Sequence, residues 1–431
     1  MTAPRVGRGL VMLHIDGLGA DSLEEALREG EMPFTQHLFD DEGYAIHRYR
    51  CGIPSTTPFV QAGILYGDNT EIPSFRWWDR QRRVLVQFGA RATFKKVADK
   101  YFHGCRPLTQ DGACIATCYP GGAKDDFGIS YQDRSYSKDE WSRSAWNVLL
   151  PYIANPLHIG DWIVQVARTL VRTARQYMSA RTKGKRPAPA YVINNALEEI
   201  FVHHLTRYAV VKAMREGYSP IYAGFYAFDE SGHAFGPDDE TTLAVLKNVD
   251  RTIEKVARAR GDQYELVVLS DHGQIETVPF NADSAPSFGE VIAGWLPGFR
   301  IQEMKGKAYG PAEDEVRGQV NVTCSGGLAH IYFADRTERL DYRELTSRFP
   351  HFAAAISSLG KVALVMARDG KRDVFLKGAS ELDGDGLKTL LAQYDDAAIL
   401  IEQLSRLNSF DNSGDLVVFG AFIDGKQVNF E

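Results

Sequence analysis

Residues 221–273 read IYAGFYAFDESGHAFGPDDETTLAVLKNVDRTIEKVARARGDQYELVVLSDHG. Two apolar runs of strand length, Ile221 to Phe228 and Tyr264 to Ser270, bound this segment. Between them, apolar residues recur at spacings of three and four, which is the period of an amphipathic helix: Leu243, Leu246, Val249, Ile253 and Val256. A strand, a helix and a second strand in this order predict a β-α-β unit with parallel strands.

Further apolar runs of strand length lie on both sides of this unit: Leu10 to Ile15, Leu328 to Phe333, Val362 to Met366 and Leu416 to Phe419. Together the runs predict an α/β fold with a doubly wound, largely parallel sheet. We expect one domain over residues 1–431. Segments at about 70–135 and 140–215 interrupt the alternation and are predicted to be inserted cap segments.

The charge balance and the cysteines exclude several classes of protein. Lys and Arg number 49 against 56 Asp and Glu, a net charge of -7, which disfavours bulk nucleic acid as a partner. The five cysteines are odd in number and lack paired spacing, so we expect a reducing compartment, the cytoplasm. No apolar window is long enough to span a bilayer. The basic amphipathic stretch 150–190 predicts a helix packed on the core, with a helix that contacts a membrane surface or a partner as the alternative.

Carboxylates and imidazoles stand at the ends of the predicted strands. In an open α/β sheet, ligands bind outside the carboxyl ends of the strands. Each residue alone has a plain explanation as a turn former, a helix cap or a structural histidine. As a set they offer the ligand types that two divalent cations need in a site for phosphoryl chemistry: Asp16, Asp229, His233, Asp271, His272 and His330.

A hydroxyl nucleophile is predicted in residues 51–67, which read CGIPSTTPFVQAGILYG. Contact with a metal ion lowers the pKa of a hydroxyl, and the N-terminus of a following helix favours an anionic phosphate. Thr57 before Pro58 suits this position, because proline is well accommodated in the first turn of a helix. The alternative is a plain helix cap.

These residues resemble a known family. Asp16-Gly, then Asp229-x-x-Gly-His233-x-x-Gly-Pro237, then Ser270-Asp-His-Gly273 resemble the metal signatures of the type I phosphodiesterase and nucleotide pyrophosphatase branch of the alkaline phosphatase superfamily. The resemblance implies that Asp229, His233 and His330 hold one ion, and that Asp16, Asp271, His272 and the Thr57 hydroxyl hold the other. It implies Zn²⁺, with Mn²⁺ as the alternative.

The family also bears on which hydroxyl attacks. Its members place the nucleophile three residues after a proline and ten before a glycine. With Pro54 and Gly67, only Thr57 meets both conditions, and Thr56 is the next choice. A narrower resemblance, to a group of bacterial members, covers Pro54 to Trp77. Where characterised members use an asparagine to hold a phosphate oxygen, this chain offers Asn69 or Arg76. A guanidinium would favour a more highly charged phosphoryl group.

The function implied is hydrolysis of a phosphodiester or pyrophosphate bond through a phospho-threonine intermediate. The substrate would be a small phosphorylated compound such as a nucleotide or a phospholipid head group. Two alternatives remain at this point: a phosphomonoesterase or phosphonate hydrolase with the same two-metal site, and a non-catalytic metal-binding scaffold. The aromatic residues Phe75, Trp77, Trp78 and Tyr119 would either stack on a base or lipid or pack in the cap.

Overall fold

A computed structural model describes residues 8–88, 91–127, 129, 146, 148–182, 189–304 and 316–431. Contacts along the chain divide it into two compact units. The first unit comprises Met1–Cys51, Val60–Asp68 and Phe94–Gln274, and the second comprises Gly52–Phe59, Asn69–Thr93 and Ile275–Glu431. The predicted cap segments lie partly outside the described residues, at 89–90, 128, 130–145, 147 and 183–188. The single domain over residues 1–431 stays a prediction.

The first unit is built on a parallel sheet. Its described strands follow in the spatial order Ala113–Ile115, Ile221–Phe225, Gly9–Ile15 and Tyr264–Leu269, and every neighbouring pair is parallel. Strand Gly9–Ile15 is central and almost wholly buried. That burial explains its uninterrupted apolar sequence, since a strand covered on both faces has no need of alternating polar residues.

Helices surround this sheet. Leu246–Arg260 packs against strand Tyr264–Leu269 and buries four of the five apolar positions that the periodicity predicts, whereas the fifth, Leu243, ends the separate short helix Glu240–Leu243. The first unit also contains Ala20–Arg28, Pro33–Asp41, Pro156–Thr182, Pro189–Leu197, His204–Arg215, Ala227–Phe235 and Glu240–Leu243, with a π-helical turn at Glu198–His203. Helices Thr57–Tyr66 and Arg91–Tyr101 begin in segments of the second unit and continue in the first.

The second unit is built on a mainly antiparallel sheet. Its described strands follow in the order Ser380–Glu381, Arg372–Lys377, Val362–Asp369, Leu416–Gly420, Leu328–Phe333, Gln319–Ser325 and Arg300–Glu303, with a parallel pairing between the last two. Smaller sheets pair Arg76–Asp79 with Val84–Gln87, and Lys426–Asn429 with Phe422–Ile423 and Thr277–Pro279. The helices are Phe288–Ala293, Tyr342–Arg348, Phe352–Ser357, Gly384–Leu391 and Ala397–Ser409, with a 3₁₀ turn at Ala282–Ser284.

Two features differ from the sequence-based expectation. The three later strand predictions lie in the antiparallel sheet, where a tight turn at Gly326, with φ +59°, folds Leu328–Phe333 directly back on its neighbour. Such a turn joins antiparallel strands, whereas parallel strands need a crossover. The predicted strand 221–228 ends at Phe225, and Asp229 stands in the first turn of helix Ala227–Phe235.

Among the described helices, none combines the length and the hydropathy that crossing a bilayer requires.

Candidate metal centre

Four of the predicted ligands meet where the parallel strands of the first unit end. Asp16 directly follows strand Gly9–Ile15, and Asp271 and His272 follow strand Tyr264–Leu269. Ligand atoms of Asp16, Asp229 and His272 lie within 4.8 Å of one another, and those of His14, Asp16 and Asp271 do the same. Asp16 therefore belongs to both groups.

Asp271 is held by donors on several sides. Its Oδ1 accepts hydrogen bonds from the backbone N–H of His272 at 2.9 Å and of Gly17 at 3.3 Å, and it lies 3.1 Å from Nε2 of His14. Its Oδ2 is buried without a hydrogen-bond partner among the described residues, although Nε2 of His272 lies 3.4 Å away. One oxygen is thus fixed by the protein while the other is left for a ligand.

Asp229 is oriented by its own neighbours. Nε2 of Gln274 donates to Asp229 Oδ1 at 2.6 Å, and Nε2 of His233 lies 3.2 Å from Oδ2. His233 is one helical turn after Asp229, so both side chains occupy one face of the helix. Gly17 stands so close that a Cβ there would lie 2.7 Å from Asp229 Oδ1, and its φ of +74° favours glycine.

The cluster concentrates negative charge. Burial, followed by the charges of Asp271 and Asp229, raises the pKa of Asp16 well above its ordinary value. Burial would also raise the pKa of Asp271, but the imidazoles of His14 and His272 outweigh it and lower that pKa. Nearby thiols stay protonated, because burial and the charge of Asp271 raise the pKa of Cys51, while burial and the charges of Asp16 and Asp271 raise that of Cys118.

These residues fit a divalent cation. Buried carboxylates that repel one another, with one oxygen of Asp271 lacking a hydrogen bond, are relieved by a positive ion. The ligand atoms are carboxylate oxygens and imidazole nitrogens, which suit Zn²⁺ and Mn²⁺. Asp16, Asp229, Asp271 and His272 are the residues that would hold it.

The sequence-based prediction missed His14. The residue lies in strand Gly9–Ile15 two positions before Asp16, so the strand pleat directs both side chains to the same face. Nε2 of Gln61 lies 3.4 Å from Nδ1 of His14, and Oε1 of Gln61 accepts the N–H of Cys118 at 2.6 Å. This contact directs Nε2 of His14 toward Asp271. A histidine at that spacing from a strand-end aspartate was the available signal.

We expect His14→Ala to weaken metal binding about ten- to a hundredfold, the usual effect of removing a group that orients a metal ligand. Competition with a chromogenic chelator measures the affinity. His14→Gln, which keeps an amide donor, should restore part of it. The matched control is His37→Ala, which removes an exposed imidazole paired with Asp41 in the same unit. Wild-type affinity in a folded His14→Ala protein would rule out this role.

The other predicted site residues belong to the second unit. Thr57 is the first residue of helix Thr57–Tyr66, as the proline after it suggested. Asn69 is half-buried, and its carbonyl accepts the N–H of Ile72 at 3.4 Å. Nη1 of Arg76 donates to the carbonyl of Cys324 at 3.0 Å and forms an ion pair with Glu431 at 2.6 Å. Their roles at the site stay predictions.

His330 is fully buried in the second unit, with both ring nitrogens engaged. Its Nε2 donates to the carbonyl of Pro73 at 3.2 Å, and its Nδ1 accepts the N–H of Gly414 at 3.0 Å. Burial is the main cause that lowers the pKa of His330 to about 3, so its ring is neutral. A neutral imidazole can bind metal, but one of these hydrogen bonds would have to break. Its role as a ligand stays a prediction.

A sequence profile of one family matches residues 10–295, which include every residue of the cluster. The chain belongs to the type I phosphodiesterase / nucleotide pyrophosphatase family. The predicted family is confirmed, and the chain is a phosphoric ester hydrolase. Membership supports hydrolysis of a phosphoester or phosphonate bond and implies dependence on divalent metal ions. No curated protein matches the sequence significantly.

A solved structure confirms the fold class. The chain is similar to phosphonoacetate hydrolase from Sinorhizobium meliloti 1021 in complex with phosphonoacetate, with 16% identity over 98% of this chain and 82% of that one, and a TM-score of 0.51. The same enzyme in complex with phosphonoformate aligns at 15% identity over the same shares, with a TM-score of 0.48. At 16% identity, the similarity to the phosphonoacetate complex shows a shared fold alone.

Proposed function

We propose that this family member hydrolyses a phosphodiester or pyrophosphate bond of a small phosphorylated substrate, using divalent ions and Thr57 as nucleophile. The observation that carries the proposal is the meeting of Asp16, Asp229, Asp271 and His272 at the carboxyl ends of the parallel strands. This is the place where open α/β sheets bind ligands.

The metal ligands would be divided between two divalent ions, both Zn²⁺ or, as the alternative, both Mn²⁺. When bound, the ions neutralise charge on the phosphoryl oxygens and lower the pKa of a coordinated hydroxyl or water. We propose Asp16, Asp271, His272 and Thr57 for one ion and Asp229, His233 and His330 for the other. The contact between His233 and Asp229 supports that pairing. The closeness of Asp229 to Asp16 and His272 supports two neighbouring ions.

Thr57 would attack phosphorus and displace the leaving-group oxygen, which departs with the electrons of its bond to phosphorus. Water would then attack the phospho-threonine, releasing phosphate or a monoester and restoring the hydroxyl. The position of Thr57 at the start of a helix supports this role, since the N-terminal end of the helix dipole favours an anionic group. The protonated thiols of Cys51 and Cys118 are poor nucleophiles at neutral pH.

A turnover panel tests the proposal. It compares a nitrophenyl diester, a nitrophenyl monoester, a nucleoside triphosphate, a glycerophosphodiester and phosphonoacetate, with Zn²⁺ or Mn²⁺ added. We expect the diesters or the triphosphate to be cleaved fastest and a chelator to abolish turnover. If the monoester or phosphonoacetate is cleaved faster, the protein is a phosphomonoesterase or a phosphonate hydrolase instead. Bound metal without turnover on any compound would favour the scaffold alternative.

Substitution of Arg76 distinguishes two roles for this residue: binding the phosphoryl group, or a structural contact within the second unit. If Arg76 binds the phosphoryl group, Arg76→Ala should lower monoester turnover ten- to a thousandfold and diester turnover less. We expect instead equal losses of less than about tenfold, with a lower melting temperature, because Cys324 and Glu431 already occupy the guanidinium. Steady-state kinetics on both esters decide. Arg82→Ala, which removes an exposed arginine from the turn between strands Arg76–Asp79 and Val84–Gln87, is the control.

A further inference from the structure

Helix Pro156–Thr182 directs polar side chains toward the interior of the first unit. Gln165, Thr169 and Gln176 are buried. Gln165 accepts from Arg251 at 3.2 Å, Thr169 donates to Glu199 at 3.5 Å, and Gln176 donates to the carbonyl of Thr241 at 2.9 Å. The inward side of the helix is therefore anchored largely by hydrogen bonds, together with Tyr177, which packs against Val192 and Phe235.

The apolar side chains of the same helix face outward. Six large ones are between 38% and 64% exposed: Ile159, Ile163, Val164, Leu170, Val171 and Met178. At 100° per residue they fall within an arc of about 140°, so they form one continuous face. We call these six residues the outer face. Single exposed apolar residues are common, but a contiguous set of this size marks a binding surface.

A second row extends the apolar surface. Ile193, Leu197 and Phe201 are spaced by four along the neighbouring helical segment and are between 44% and 57% exposed. The ring of Phe201 lies 5.5 Å from that of Trp162, so this row begins beside the outer face.

The unpaired charges of the helix that carries the outer face are positive. Residues 156–182 contain a single acidic residue, Asp161, which is paired with Arg207 at 3.2 Å and Lys255 at 2.6 Å. Arg168 and Arg175 are exposed and, being seven residues apart, line one edge of the outer face. This positive edge belongs to a chain whose net charge is -7, so it is a local feature.

We propose that the outer face docks on the surface of an anionic lipid bilayer. An apolar helix face edged by arginines lies in the interface between headgroups and acyl chains, where the guanidinium groups reach lipid phosphates. The proposed contact is peripheral, made by one face of the helix. A symmetric pair of copies is disfavoured, because Arg168 and Arg175 would find no acidic partner on the second helix, whose single aspartate, Asp161, is already paired with Arg207 and Lys255.

Vesicle co-sedimentation of the full chain tests this inference, which does not depend on the proposed function. Phosphatidylcholine vesicles are compared with vesicles in which a quarter of the lipid is phosphatidylglycerol, at low and high salt. We expect binding to the anionic vesicles, at least tenfold weaker binding to the neutral ones, and loss at high salt. Arg168→Gln with Arg175→Gln should weaken anionic binding about thirtyfold.

Substitution of the outer face itself supplies the second arm. Ile163→Ser with Leu170→Ser should abolish binding to both kinds of vesicle. Phe422→Ser with Ile423→Ser, an exposed apolar pair of the second unit, should leave binding unchanged. Melting temperature and turnover of a soluble substrate confirm that each variant is folded.

Three outcomes would overturn the inference. The first is a wild-type chain that fails to bind anionic vesicles. The second is equal binding by the outer-face variant and the wild type. The third is a wild type that is a dimer and an outer-face variant that is a monomer, with no difference in vesicle binding. The last, measured by light scattering, would make the face an interface between two copies.

Discussion

Replacing the proposed nucleophile is expected to produce the largest loss of activity. Thr57→Ala should lower turnover of the best substrate at least about a thousandfold, because no other hydroxyl or thiolate would take over the attack. Bound metal, measured by elemental analysis, should fall by less than half, since six other proposed ligands remain. Thr57→Ser keeps a hydroxyl and should recover part of the rate.

The neighbouring hydroxyl is the control for this assignment. Thr56 immediately precedes helix Thr57–Tyr66, and its Oγ1 is buried without a hydrogen-bond partner among the described residues. Thr56→Ala should keep turnover within about threefold, as is usual for a substitution that leaves the reacting groups in place. Wild-type turnover in Thr57→Ala together with an inactive Thr56→Ala would shift the nucleophile by one position. A phosphorylated peptide from rapidly quenched enzyme would identify it directly.

The sequence was enough to predict the parallel part of the fold and most of the cluster. Uninterrupted apolar runs identify strands buried on both faces, and the β-α-β rule makes them parallel. The carboxyl ends of parallel strands meet at one edge, so Asp16, Asp271 and His272 could be grouped from the sequence alone. Asp229 also lies beside Asp16 and His272, although it stands on a helix rather than at a strand end.

The residues that orient the cluster could not be predicted in the same way. Gln274 reaches Asp229 through the loop after Asp271, and Gln61 reaches His14 from a helix far away in sequence. Loop paths and long-range contacts have no periodic signature. An apolar run also does not reveal its direction, which is why Leu328 to Phe333 was expected in the parallel sheet.

Aromatic side chains show a similar limit. Trp77, Trp78 and Tyr119 are completely buried, so of the two roles considered for them, packing is the one that the structure supports. Trp77 packs 5.6 Å from the ring of Phe88, and Tyr119 packs edge-on against Tyr66 at 5.8 Å. Composition alone does not distinguish an aromatic residue that covers a ligand from one that fills a core.

Asp16→Asn is expected to affect activity and stability in opposite directions. Asp16 belongs to both ligand groups, so its loss should lower turnover at least about a thousandfold and remove most of the bound metal. In chelator, however, the variant should melt at a higher temperature than the wild type, because an uncharged amide no longer repels Asp271 and Asp229.

The pH dependence of this difference follows from the raised pKa of Asp16. The metal-free folded chain keeps that proton to a higher pH than the unfolded chain, in which aspartate titrates near about 3.9. Above that pH the folded state binds more protons, so wild-type stability falls as pH rises through the raised pKa. The advantage of Asp16→Asn in melting temperature should therefore be larger at pH 8 than at pH 5. Added Zn²⁺ or Mn²⁺ should reverse this advantage by stabilising only the wild type.

The control is Asp99→Asn, which alters an exposed carboxylate paired with Lys95 and should show neither effect. A variant that melts below the wild type in chelator at both pH values would show that the carboxylates do not repel one another strongly enough to require a cation.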